Sequence, residues 1–276
     1  MELISLGNYQ SLHKKWTSAK ASLGFVPTMG ALHVGHLKLI DQAISENDYV
    51  VLSIFVNPSQ FNNAKDFQLY PRTIERDLEL LKEYANLYVI CPTVEEIYPR
   101  TDSYLPMPLG SLGKIMEGEH RPGHFEGVVH VVHNLFKIVR PNRAYFGLKD
   151  FQQFYIIRKL VDYYNFKIEI IPCETIRSHE GLALSSRNER LDATGLEKAL
   201  GIFQALEFMR LEKNKKNIDE LIVEARQILL QRGLQIEYLE LRDYKTLGLT
   251  KNLKESCVCF IAVYCQGIRL IDNMLI

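Results

Sequence analysis

The stretch VPTMGALHVGHLKLI, Val26 to Ile40, decides how this chain is read. An apolar run ending in Pro27 leads through Thr28, Met29 and Gly30 into a helical pattern that starts near His33. In a parallel sheet such a turn lies at the carboxyl end of its strand, where α/β folds place their ligands. Gly30 and Gly35 have the G-x-x-x-x-G spacing of a phosphate-binding loop. His36 and Leu37, however, stand where such a loop carries Lys and Ser or Thr. The helix start is expected to offer unpaired backbone N–H groups and a partial positive charge, both suited to an anion. Gly35 has no β-carbon, so a nucleotide can come close to the helix backbone. His33 and His36 lie about 60° apart around a helix and share one face, so both imidazoles can donate to one anion. H-x-x-H is also half of a metal site, and the pair by itself leaves that alternative open.

Outward from this turn the sequence alternates. Strand-like runs LGFVPT, YVVLSIFV, LYVICP, RAYFG and KIEIIPC are separated by helical patterns such as GHLKLIDQAISEN, TIERDLELLKEY, GVVHVVHNLFKIV and DFQQFYIIRKLVDYY. Short β-branched runs between amphipathic helices predict an α/β fold with a Rossmann-like parallel sheet covered on both faces. After about Ile176 the pattern changes to two charged helices followed by IEYLELRD and SCVCFIAVYCQGIRLID. This predicts residues 1–176 as the Rossmann-like domain and 177–276 as a smaller α+β domain appended to it. Glu212 to Asn217, EKNKKN, reads as a solvated turn between the two helices.

The 276 residues are 47% hydrophobic with 33 basic and 33 acidic side chains, a soluble globular composition. Zero net charge argues against a dedicated nucleic-acid binder. No apolar run approaches the roughly 18 residues of a membrane span, and the first residues lack a secretory signal. Five scattered cysteines without a C-x-x-C pair read as reduced thiols in a cytoplasmic protein.

Three further stretches carry chemistry. FVNPSQF follows the second strand, which puts Asn57 and Gln60 at the carboxyl edge of the sheet, although Asn-Pro alone also marks a turn. In YFGLKDFQQ, Gly147 permits close backbone approach, Lys149 supplies a point charge for phosphate, and Asp150 suits a helix cap. Gln153 is one turn beyond Lys149 and can face the same cleft. In LALSSRN, Ser185, Ser186 and Arg187 can surround a triphosphate with two hydroxyls and a guanidinium fork. His120, His124, His130 and His133 invite a zinc reading, but no Cys is near, and His130 and His133 read as packing residues of an apolar helix.

The opening run resembles the H-x-G-H signature of the nucleotidyltransferase superfamily, which class I aminoacyl-tRNA synthetases share. The resemblance is closer still: VPTMGALHVGHLKLI, FVNPSQF, YPRT, RPGHFEGV, YFGLKDFQQ, LALSSRN and RLIDN occur in the order found in the pantoate–β-alanine ligases. That resemblance implies activation of pantoate by ATP to an enzyme-bound adenylate, then attack by β-alanine, releasing AMP and pyrophosphate. It implies ATP contacts at Met29, Gly30, Ala31, Leu32, His33, Val34, Gly35 and His36, and at Gly147, Leu148, Lys149 and Asp150. It also implies them at Ile176, Leu184, Ser185, Ser186 and Arg187. Catalysis falls to His36 as proton donor, with His33 and Lys149, and pantoate and β-alanine fall to Gln60, Gln153 and Asn57. His124 and, less so, Arg121 belong to a loop expected near the substrates. Mg2+ is expected with the nucleotide, no metal ligand is implied, and a homodimer is a family expectation. Leu148, Leu184, Glu180 and Asn134 depart from the usual family residues, so Glu180 is assigned no role and a side-chain contact from position 148 or 134 is in doubt. Asp77 is a weak candidate for assisting a metal.

Rival readings are a nucleotidyltransferase acting on a phosphorylated acceptor, a truncated aminoacyl-tRNA synthetase, and a non-catalytic nucleotide-binding module. The first would want more basic residues, the second an anticodon domain, and the third would leave ATP uncleaved.

Overall fold

A computed structural model describes residues 1–62, 64–100, 104–250, 252–253 and 256–276. The chain divides into two compact units, Met1–Leu148 with Gln152–Glu174, and Lys149–Phe151 with Thr175–Ile276.

In chain order the first unit contains β1 (Glu2–Leu3), α1 (Leu6–Ser18), β2 (Leu23–Thr28), α2 (Val34–Glu46) and β3 (Tyr49–Ile54). It continues through α3 (Ala64–Gln68), α4 (Ile74–Leu81), β4 (Leu87–Ile90), α5 (Val94–Ile97), α6 (Glu117–His120) and α7 (His124–Val139). It ends with β5 (Arg143–Gly147), α8 (Phe151–Tyr163) and β6 (Glu169–Cys173), although Phe151 itself packs in the second unit. The strand runs read from sequence all form strands; β1 and α1 are additions. Two residues are too few to show alternation, and β1 gains its place only by pairing with β4.

The six strands are parallel in the order β1-β4-β3-β2-β5-β6. The chain therefore builds outward from β2 to one side, then returns to the other side with β5. A reversal of this kind leaves a crevice at the carboxyl ends of the two strands flanking it, here β2 and β5. Pairing shows where it opens. β2 matches β3 along Leu23 to Thr28, but its register with β5 covers only Gly24 and Phe25. Pro27, which has no N–H to donate, sits beyond that point, where β2 no longer needs a donor on the β5 side. The interior strands are continuous apolar runs because helices cover both faces; Val50, Val51 and Leu52 of β3 are fully buried.

The second unit contains α9 (Ala193–Glu212), α10 (Ile218–Gln231) and the antiparallel strands β7 (Gln235–Asp243), β8 (Cys257–Cys265) and β9 (Ile268–Leu275). Asp192 caps α9 by accepting from Gly195 N, and Asn217 caps α10, so the charged turn before it ends in a helix signal. β8 and β9 form a hairpin whose two turn residues, Gln266 (φ 52) and Gly267 (φ 74), are both left-handed, as a tight right-twisted hairpin needs.

All five cysteines are free, and Cys91 is the only one not fully buried. Burial pushes the Cys173 thiol up to about 12, and the thiols of β8 rise for the same reason. We expect Ellman's reagent to react in the native protein at Cys91 alone and with all five thiols after denaturation. Rapid native reaction of a second thiol would contradict the burial described.

Candidate active site

The turn after β2 is held by a carboxylate. Gly30 (φ 77) and Ala31 (φ 51) are successive left-handed residues, a conformation that turns neighbouring N–H groups toward one point and favours an anion there. The anion is the protein's own: Asp77 of α4, fully buried, accepts from Ala31 N at 2.9 Å through Oδ2 and from Leu32 N at 2.8 Å through Oδ1. Thr73 Oγ1 lies 3.2 Å from the same Oδ1. A side chain at position 30 would press on Asp77 and Ile54, and the positive φ selects glycine besides.

The imidazoles complete the turn. His33 is the N-cap of α2, and its Nδ1 accepts from Gly35 N at 3.1 Å. In return His33 N donates to Nδ1 of His36 at 3.2 Å, a capping box built from two histidines. Their ring centroids are 4.1 Å apart. Because each Nδ1 receives an N–H, each neutral ring carries its proton on Nε2. The expectation of unpaired N–H groups at this helix start is narrowed: the loop and the first turn spend those of Ala31, Leu32, His33 and Gly35 on Asp77 and the imidazoles. Leu32 is also a core residue, 1% exposed. Gly35 is required for a second reason, since a β-carbon there would sit 2.8 Å from Cε1 of His33.

The NPSQ turn is a buried network. Asn57 caps the short 3-10 turn Pro58–Gln60 and is 1% exposed. Its Oδ1 accepts from Ser59 N and Oγ and, at 2.7 Å, from Tyr98 OH, while its Nδ2 donates to Gly127 O and Gln60 Oε1. Every polar atom of the Asn57 amide is thus engaged within the protein, where it supports Gln60. Gln60 Nε2 lies 3.0 Å from Met29 Sδ, which ties this turn to the histidine loop. α7 packs so closely here that a β-carbon on Gly127 would collide with the Ser59 carbonyl.

His124 has a similar part. Its Nε2 is 3.0 Å from Arg121 Nη1, which can only donate, so Nδ1 bears the proton and donates to Gln60 O at 2.8 Å. Arg121 in turn faces Glu117 Oε2 at 3.4 Å. His130 stacks on Tyr104 and His133 meets Asn134, whose Nδ2 donates to Ile97 O, so these are packing residues. Among the described residues no three His, Cys, Asp or Glu side chains converge as a metal site. On α8, Gln152 is the buried amide, bonded to the carbonyls of Leu112 and Ile115 and to Glu117 N, while Gln153 beside it is partly exposed.

In the second unit one pocket gathers Lys149, Ser185, Arg187, Asn188, Arg269 and Asp272. Three residues singled out as phosphate ligands, Lys149 far from the other two in sequence, thus share a wall. The turn before LSSRN is closed by Ser178 N to Leu182 O at 2.8 Å and by an antiparallel bridge from Arg177 to Ala183. Leu184 N donates to Ile176 O at 2.9 Å, which holds the two residues side by side. Ser186, Leu184 and Ile176 are partly buried, and Glu180 is exposed. Gly147, in the first unit, has open space where a β-carbon would project; Leu148 is partly buried and Asp150 is exposed, 3.6 Å from the Lys149 ammonium.

The family model of pantoate-beta-alanine ligases matches residues 4–275. The chain belongs to the pantoate–β-alanine ligase family. It joins pantoate to β-alanine, the reaction that makes pantothenate. Pantothenate synthetases of Cytophaga hutchinsonii and Azobacteroides pseudotrichonymphae are similar at 44% and 46% identity, each alignment covering 99% of both chains. The crystal structure of pantothenate synthetase from Thermus thermophilus has the same fold, with a TM-score of 0.91 at 36% identity over 99% of both chains. A Francisella tularensis pantoate-beta-alanine ligase, solved with β,γ-ATP and β-alanine, matches at TM-score 0.82 and 36% identity over 100% of this chain and 97% of that one.

Three residues of the ligase were not assigned these roles on sequence: Asp77 as holder of the loop, Asn57 as a support, and His124 as the holder of the Gln60 carbonyl. Asp77 had one usable signal, its place four residues after Thr73 at a helix start, but its partner loop lies 45 residues upstream. Replacing Asp77 with Asn supplies one acceptor and turns an amide N–H toward the second backbone donor. We expect Asp77→Asn to lose about 1–3 kcal/mol in urea unfolding, the usual cost of one buried donor left unsatisfied, together with most activity. Wild-type stability and turnover would contradict the loop-holding role. Nitrogen-15 NMR of the ligase should show Nε2–H tautomers at His33 and His36 and the Nδ1–H tautomer at His124; the reverse pattern would refute the hydrogen bonds described.

Proposed function

We propose that the ligase works in two steps through a pantoyl adenylate. The pantoate carboxylate attacks the α-phosphorus of ATP and pyrophosphate leaves; the β-alanine amine then attacks the acyl carbon, releasing AMP and pantothenate. A carboxylate is a poor acyl donor because oxide would have to depart, and adenylation replaces oxide with a phosphate ester as leaving group.

The observation that supports this most is the histidine turn. His33 and His36 hold their Nδ1 atoms inward on backbone N–H groups and bear protons on Nε2 at the crevice beside β2. Donors of this kind suit charge that builds on the α-phosphoryl oxygens and the bridging oxygen as pyrophosphate departs. His36 is the proton donor and His33 its partner in this reading. The built-in Asp77 anion explains why the loop needs histidines: the backbone N–H pair that would cradle a phosphate is already engaged. Gln60 and Gln153 bind pantoate and guide β-alanine, their amides both donating and accepting toward hydroxyls and carboxylate. Lys149, Ser185 and Arg187, which line one pocket, hold the outer phosphates that become pyrophosphate, with Ser186 between the last two in sequence. Ile176 and Leu184 offer apolar contact for the adenine.

Magnesium is required by the charge of the nucleotide, but the residues present do not form a cage for it. Asp77 is spent on the loop and Asp272 on Arg177, and no three ligating side chains converge among the described residues. Phosphate and water oxygens would carry the ion. No helix among the described residues is long and apolar enough to cross a membrane. Free thiols accord with a cytoplasmic protein, and family membership supports a homodimer.

ATP, magnesium, pantoate and β-alanine together should give pantothenate and AMP in equal amounts. In single turnover, His36→Ala should slow adenylate formation by about 10²- to 10⁴-fold with ATP affinity nearly unchanged. An unchanged adenylation rate would remove His36 from the chemistry.

A further inference from the structure

The motif RLIDN, Arg269 to Asn273, contributes Arg269 and Asp272 to the pocket lining, but its Asn273 has no role assigned above. It lies on β9, the edge strand of the second unit's sheet, where one side of the backbone faces away from β8. Asp272 and Asn273 are buried at 4% and 8% exposure. Asp272 forms a two-pronged pair with Arg177, Nη1 to Oδ2 at 2.6 Å and Nη2 to Oδ1 at 3.0 Å. Arg177 donates further to Gly181 O at 3.1 Å and Asn273 O at 3.2 Å, and its guanidinium lies over the Phe203 ring. Gly181, at φ 101, packs on that ring with no space for a β-carbon. This fixes the turn from Arg177 to Ala183 that leads directly into Ser185 and Arg187. Asn273 reaches the other wall: its Nδ2 donates to the backbone carbonyl of Lys149 at 2.7 Å.

One dipeptide therefore clamps two segments, distant in sequence, that contribute phosphate ligands to the same pocket. We propose that Asn273 is a positioning residue that acts through Lys149. Its carboxamide holds the Lys149 peptide so that the ammonium is presented at the pocket, while Asp272 and Arg177 hold the Ser185–Arg187 wall. A lysine side chain is long and flexible, so the position of its ammonium depends on a fixed backbone at its root. A misplacement of about 1 Å at such a group costs on the order of 10²-fold in rate. The proposal rests on the reading of Lys149 as a phosphate ligand.

A double-mutant cycle with the full-length ligase tests it, measuring kcat and KM for ATP at saturating pantoate and β-alanine. Asn273→Ala should lower kcat/KM for ATP by about 10- to 100-fold. In a Lys149→Ala background the same change should cost less than about twofold, the margin of about 0.5 kcal/mol within which uncoupled effects are not resolved. An equal loss in both backgrounds, or no loss in a folded Asn273→Ala enzyme, overturns the proposal alone. Wild-type turnover in Lys149→Ala would overturn the reading of Lys149 and the proposal with it. Should Asn273→Ala melt below the assay temperature, the isosteric Asn273→Asp, which turns an acceptor toward the Lys149 carbonyl, carries the same cycle with the same expected outcomes.

Discussion

The site depends on one buried carboxylate. Asp77 collects two consecutive N–H groups of the loop after β2, and this fixes the left-handed pair Gly30 and Ala31 that aims the chain into α2. Placing an ionised carboxyl at zero exposure costs several kcal/mol unless its lone pairs are filled, and here two backbone donors and a threonine hydroxyl surround it. Once the loop is set, His33 must cap the helix and Gly35 must lack a side chain, because the ring lies against it. Each constraint follows from the previous one.

The same arrangement accounts for a sequence that nearly spells a P-loop. In such loops the backbone N–H groups remain available to phosphate, and a lysine and a hydroxyl complete the binding. Here the protein supplies its own anion to the turn, and in the proposed mechanism the imidazoles take over the donation. Attack at an inner phosphorus, as proposed, would favour this solution, since the charge to be stabilised would then develop on the α-phosphoryl and the departing group instead of at the terminal phosphate. The neighbouring glutamine turn is supported in the same manner: Asn57, His124 and the close approach at Gly127 position Gln60.

Much of this was legible in the sequence, for physical reasons. Strands buried on both faces read as unbroken apolar runs, so β2 to β6 were visible, and the strand-to-helix turns at Gly30 and Gly147 marked the sheet edge. β1 was not visible because two residues carry no period. The pocket wall shared by Lys149, Ser185 and Arg187 was anticipated as chemistry, while the contacts that assemble it were not. Asp77 and the Ala31–Leu32 N–H groups, like Asn273 and the Lys149 carbonyl, are joined only by the fold; a hydrogen bond between distant positions leaves no local pattern. The readings of Ala31 and Leu32 as ATP contacts and of Asn57 as a substrate contact came from the family resemblance; the backbone N–H groups of the first two and the amide of the third bond within the protein.

The most direct measurement is a crystal structure of the ligase with a non-hydrolysable ATP analogue and pantoate. The account predicts that Asp77 keeps both of its loop N–H bonds, with α-phosphate oxygens within hydrogen-bond distance of the Nε2 atoms of His33 and His36. Phosphate oxygens seated on the N–H groups of Ala31 and Leu32, with Asp77 displaced, would contradict it.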